Sequence, residues 1–269
     1  GNGVPATLRD LLQARIDRLP PEARQVLQAT VVLEPDAHFR LLRRVAGRGE
    51  DETLDALDIL IGAGFVEERG TGYGVAHPLL AATVAAGMGM ARRAVLHRRA
   101  AETLETDRLG ESPKVAGRLA SLWAEAAEPT RAAGWADAAA ARSMALGAMP
   151  EAVAAHRQAL ALAPTPARRL ALGRALLRAG DLAAARSELS AALEALDRAG
   201  SRAEAAEAGL LLADVAVHSG RGDEVANRSR PGQRGSEPPG GGAPCRKRRG
   251  RLASGARPIR VGQPARPPG

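Results

Sequence analysis

Apolar residues recur along positions 8–61 at three- and four-residue steps, the spacing of helices that bury one stripe. Leu8, Leu11, Leu12, Ile16 and Leu19 make the first stripe, and Pro20-Pro21 closes it. The same prolines open a second helix, with Glu22 in its first turn and Val26, Leu27 and Val31 facing inward. A third, short helix carries Phe39, Leu41, Leu42 and Val45 and stops near Gly47. A fourth starts about Asp51, turns Leu54, Leu57, Leu60 and Ile61 inward, and stops at Gly62 or Gly64. Phe65–Arg69 and Tyr73–Ala76, on either side of Gly70-Thr71-Gly72, then predict two short strands joined by a tight turn. Helices followed by such a hairpin describe a winged-helix domain over residues 1–110.

From 111 to 220 the predicted helices come in pairs, and the pairs repeat. Gly147, Ala152 and Ala159 align with Gly180, Ala185 and Ala192 at an offset of 33 residues. The same frame closes the earlier pair at Pro164 and places Leu172-Gly173 and Leu176 in the first helix of the later one. Small residues at this spacing match the tetratricopeptide pattern, in which Gly and Ala sit where two helices touch. Trp123 and Trp135 flank an earlier, more divergent pair. Residues 202–218, with Leu210, Leu211, Leu212 and Val215, read as the first helix of a further pair, whose partner gives way at Gly220 to a different composition.

Charge separates that last segment from the rest. Of the 38 basic residues, 12 fall in 221–269 against 3 of the 30 acidic ones, a net of +9. The remaining 26 basic and 27 acidic residues leave 1–220 at −1. The tail also holds 8 of 18 prolines and 10 of 30 glycines, so it cannot bury enough apolar surface to offset chain entropy and is expected to be disordered. Its Arg-rich, Lys-poor make-up fits either a natural basic tail or a frameshifted stretch beginning near Gly222.

Aromatic residues are 2% of the chain, so the core must be built from Ala, Leu and Val, which favours close-set helices over strands. Cys245 stands alone, which excludes a disulfide scaffold and a paired-cysteine zinc site. No apolar run approaches the roughly 20 residues a membrane span needs. The chain opens at Gly1 with no leader pattern and reads as a soluble, cytoplasmic piece of a longer protein.

Four phrases, in order, resemble a known family. They are Val4-Pro5-Ala6-Thr7-Leu8-Arg9-Asp10-Leu11-Leu12, Arg18-Leu19-Pro20-Pro21-Glu22-Ala23-Arg24, the stretch from Tyr73 to His77-Pro78-Leu79-Leu80, and Leu96-His97-Arg98-Arg99-Ala100-Ala101-Glu102. Over residues 1–220 the chain is similar to the large bacterial LuxR-type regulators, the STAND signal-transduction ATPases of the maltose-regulon activator kind. The resemblance implies an ATPase module, then a winged helix, then tetratricopeptide-like repeats, and often a terminal DNA-binding helix-turn-helix. It also implies that ATP or ADP is held by the full-length protein, and that His77 contacts the bound nucleotide in its resting form. An imidazole can donate to a phosphate oxygen, while the plainer expectation for a His at a strand end is a bond to nearby backbone.

This chain carries no phosphate-binding loop: its two lysines, Lys114 and Lys247, follow Pro and Arg rather than Gly. No catalytic set, metal set or cofactor site of its own is therefore expected. Glu50, Asp51, Glu52, Asp55 and Asp58 load the helix before the wing with negative charge, which argues against DNA binding by this domain; Arg40, Arg43 and Arg44 read as a solvated face. The expected role is regulatory, with a protein partner or small inducer on the repeats and the winged helix relaying the signal to a nucleotide-binding module. Two alternatives are a DNA-binding factor that uses the winged helix or the basic tail, and a free-standing repeat scaffold.

Overall fold

A computed structural model describes residues 6–106 and 112–228, with side chains for 8–106 and 112–220. It is mainly helical: twelve helices and one two-stranded antiparallel hairpin among the described residues. Helices α1 (Ala6–Asp17), α2 (Pro21–Leu33), α3 (Phe39–Ala46) and α4 (Glu50–Gly62) lead into β1 (Val66–Arg69) and β2 (Gly72–Val75). The strands pair from Val66 with Val75 to Arg69 with Gly72, and Gly70 opens the two-residue loop at φ +59°. Then follow α5 (Pro78–Gly87), α6 (Met90–Thr106), α7 (Pro113–Glu125), α8 (Pro129–Ala145), α9 (Met149–Leu162), α10 (Pro166–Arg178), α11 (Leu182–Ala199) and α12 (Arg202–Arg228).

Helix ends follow one device. A left-handed residue follows α3, α4, α7, α8, α10 and α11, and the next amide reaches back five residues, as in Arg48 N to Arg43 O and Asp181 N to Leu176 O. Glycine takes that position at 47, 64, 147, 180 and 200; Ala127 takes it once, at φ +60°. Starts are capped by side chains: Ser112 accepts from Val115 N, Thr165 from Arg168 N and Asp181 from Ala184 N.

One apolar core runs from Ile16 through α2–α6 into Leu119, Leu122, Trp123 and Ala132, so it does not stop at residue 110. A second gathers Leu170, Leu176, Leu189, Leu196 and Val215 across α10–α12. Between them lies an alanine contact of Ala120, Ala136 and Ala159. The described residues up to Ala226 form one compact unit.

Two stripes differ from their sequence reading. In α1 Leu8 and Leu11 are exposed (44% and 63%) and burial begins only at Ile16, because α5 covers the later turns of this helix. In α4 Leu54 and Ile61 are exposed, and the inward face is Thr53, Ala56, Leu57 and Leu60. That face is an unbroken three-four stripe against α2, and Thr53 can join it because its hydroxyl donates to Gly49 O at 2.6 Å. Helix α12 continues to Arg228, past the composition boundary at 220, so residues 221–228 are helical where disorder is expected; the rest of the tail, with Cys245 and the Arg246-Lys247-Arg248-Arg249 run, lies outside the described residues.

The repeat frame of 33 residues has a physical counterpart. Gly147 and Gly180 both take the left-handed turn, and Ala152, Ala159, Ala185 and Ala192 are all fully buried. A side chain on Gly173 would meet Leu189 Cδ2 at 2.6 Å, so α10 and α11 touch there because glycine leaves the room. Among the described residues no single helix is long and apolar enough to cross a membrane.

Candidate functional site

Two sets of long-range polar contacts bind α7 to its neighbours, one to α6 and α8 and the other to the turn after α2. Glu105, at the end of α6, is the first node. Its Oε1 accepts both indole N–H groups, Trp123 Nε1 and Trp135 Nε1, each at 2.7 Å, while Oε2 accepts Arg131 Nη2 at 3.0 Å. Arg131 also lies over the Trp123 ring, 3.5 Å from its centre. Trp123 is fully buried, and a buried indole N–H needs an acceptor; the carboxylate supplies one for both rings at once.

Arg118, on α7, is the second node. Its Nη2 donates to Val32 O and Glu34 O, both at 2.7 Å, which satisfies carbonyls that α2 leaves open at its C-terminus. Burial holds this guanidinium below its ordinary pKa, opposed by Asp36, whose Oδ2 lies 3.9 Å from Nε. From the other side of the same turn, the Glu34 carboxylate accepts Val75 N and Arg69 Nη1, each at 3.1 Å. Ala37 O accepts Tyr73 N at 2.9 Å. Residues 32–37 thus connect α7 to β2 through a chain of direct hydrogen bonds.

His97, on α6, belongs to this junction, while Arg98 and Arg99 beside it are exposed. It is half-buried, and its Nδ1 is buried with no hydrogen-bond partner. Burial depresses its pKa; Glu125 of α7 opposes that, while Arg118 and Arg93 add to it. His156 on α9 is similar, with burial as the largest cause and Asp137 opposing from 3.9 Å.

His77 caps α5: its Nδ1 accepts Leu79 N at 3.1 Å, which places the proton of the neutral ring on Nε2. The side chain is exposed. It lies in the turn directly after β2, the strand that Glu34 holds. The acidic residues of α4 are all exposed; Arg43 is paired with Glu50 at 2.7 Å, and Arg48 approaches Glu52 at 3.5 Å. Where α7, α8 and α9 meet, a cavity of about 540 Å³ is walled by small residues, among them Gly117, Ala139, Ala154 and Ala155, with Lys114 and Glu151 at hand.

Glu105, Arg118 and Glu34 carry the junction, and none was visible as a site residue in the sequence. The two tryptophans were the available signal, since a buried indole demands an acceptor. Comparison with family models, curated proteins and solved structures finds no match to the chain.

Proposed function

We propose that this chain is the signal-relaying part of a bacterial LuxR-type, maltose-regulon-activator-like regulator. In this reading α2–α4 with β1–β2 are a winged helix, and α7–α12 are tetratricopeptide-like repeats. A protein partner or a small inducer occupies the repeats, and the ATPase module of the intact cytoplasmic protein holds ATP or ADP; this segment does no chemistry. The observation that carries the reading is the path from Arg118 through residues 32–37 to Val75, which joins the repeats to the hairpin two residues before His77.

Relay requires two packings that the signal favours unequally. Ligand in the small-walled cavity bears on α7, which carries Arg118. Withdrawal of Arg118 uncovers the carbonyls of Val32 and Glu34, frees the Glu34 turn, and shifts β2 with the His77 cap. His77 Nε2–H, directed at a phosphate oxygen in the resting form, then lets go of the nucleotide. The acidic face of α4 supports assigning this winged helix to relay rather than to DNA, because each phosphate contact needs a cation.

The test is ADP release from the intact regulator carrying His77→Ala. Release at least several-fold faster supports the reading, and an unchanged rate ends the nucleotide role of His77.

A further inference from the structure

We propose that the groove between α2 and α6 binds a small organic acid, a carboxylate or phosphate ester with an apolar body. Two cavities, of about 710 and 460 Å³, adjoin there and share Gln25, Gln28, Ala91 and Arg92. Either volume suits a small ligand. The larger cavity has Ile16, Val84 and Met88 as apolar wall, and the smaller has Val95 and Leu96.

The sign of the ligand follows from how the polar groups are used. Gln28 is 8% exposed, and its amide oxygen accepts Arg92 Nη1 at 3.2 Å. Gln25 gives its amide oxygen to Arg48 Nε and Nη2, at 2.9 and 2.8 Å. The Gln25 oxygen is filled by two N–H groups of Arg48 and the Gln28 oxygen is turned to Arg92, while the NH₂ donors of both have no partner among the described residues. Arg24, Arg92 and Arg99 line the two cavities against a single lining carboxylate, Asp17, which already accepts Gln13 Nε2 at 2.9 Å. Met90, Ala91 and Arg92 are the first turn of the 17-residue α6, whose first helical bond is Arg93 N to Gly89 O. The amides before Arg93 have no partner within the helix, and the positive end of its dipole adds to the arginines. A cavity rich in N–H and poor in acceptors is complementary to an oxyanion, and its apolar wall gives the rest of the molecule a place to lie.

The whole chain is titrated by calorimetry with octanoate, octyl phosphate, octylamine and octanol at equal ionic strength. Octanoate, octyl phosphate or both should bind with a dissociation constant below about 1 mM, at least tenfold more tightly than the amine and the alcohol. The tighter of the two anions tells a carboxylate from a phosphate ester. Arg92→Gln, an exposed position, should weaken binding at least tenfold, and Gln28→Leu should weaken it with the arginine intact. Arg98→Gln, on the same helix but outside the groove, should change it less than twofold. Equal binding of octylamine, undiminished binding by Arg92→Gln, or no anion binding at millimolar concentration would overturn the proposal.

Discussion

Replacing Glu105 with Ala removes one acceptor from two indoles and one partner from Arg131. Trp123 is fully buried, so its orphaned N–H costs about 1–3 kcal/mol. Trp135 is half-buried and can find water, which holds its share to about 1 kcal/mol. The ion pair with Arg131 is half-exposed on the arginine side and adds at most about 1 kcal/mol. The sum is about 2–4 kcal/mol for Glu105→Ala. Glu105→Gln keeps a carbonyl oxygen where both indoles donate and loses the ion pair, at a cost of about 1 kcal/mol. These two tryptophans are all the chain has, so fluorescence excited at the red edge, where Tyr73 does not absorb, reports this node. With a urea slope of about 1–3 kcal/mol/M, the fluorescence midpoint of Glu105→Ala should fall by about 1 M. The midpoint by far-ultraviolet circular dichroism should fall less, because the repeats can unfold in steps. Refutation would be a fluorescence midpoint within about 0.3 M of the parent, or a Gln variant as damaged as the Ala variant.

Ala127→Gly should raise stability by about 0.5–1 kcal/mol, measured by thermal melting, because a left-handed alanine is strained where the other helix ends use glycine. Gly173→Val should cost about 1–3 kcal/mol, measured by urea unfolding, since the new side chain must displace the fully buried Leu189. His97 and His156 both have folded pKa values below their ordinary value of 6.5, so the unfolded chain binds protons more readily. Their stabilising share is complete above about pH 6.5 and is lost as pH falls through the folded values. Melting temperature should therefore drop on acidification below pH 6.5, and the drop should be shallower in a His97→Gln, His156→Gln double variant.

Legibility in the sequence tracked how local each cause is. The end of α3 at Gly47 and the Gly70 hairpin are written in single residues whose backbone needs dictate the turn, and both are found within a residue of where they were expected. The 33-residue offset was equally plain, because it rests on glycines and alanines that repeat whether or not the partners are known. Helix α5 leaves no signal in the sequence: Pro78-Leu79-Leu80-Ala81-Ala82-Thr83-Val84-Ala85-Ala86-Gly87 has no polar face, and so no period to read. The sequence points Leu54 and Ile61 of α4 inward because leucine and isoleucine outnumber the positions α2 can cover, and Thr53 takes one of them.

The junction was hidden for a different reason. Trp135 meets its acceptor across 30 residues of chain, and Arg118 reaches carbonyls 84 and 86 residues away. No spacing rule connects such partners. A run such as Leu96-His97-Arg98-Arg99 looks solvent-facing until α7 is laid against it. Likewise, the donor surplus of the α2–α6 groove exists only once Arg48 and Arg92 have engaged the amide oxygens of Gln25 and Gln28.

Amide hydrogen exchange on the whole chain with Arg118→Met tests the relay most directly. Tyr73 N and Val75 N, held by Ala37 O and the Glu34 carboxylate, should exchange at least tenfold faster once the arginine no longer fixes the turn, while amides in α10 and α11 keep their protection. Unaltered protection at Tyr73 and Val75 would mean that the hairpin does not feel α7, and the relay as described would be wrong.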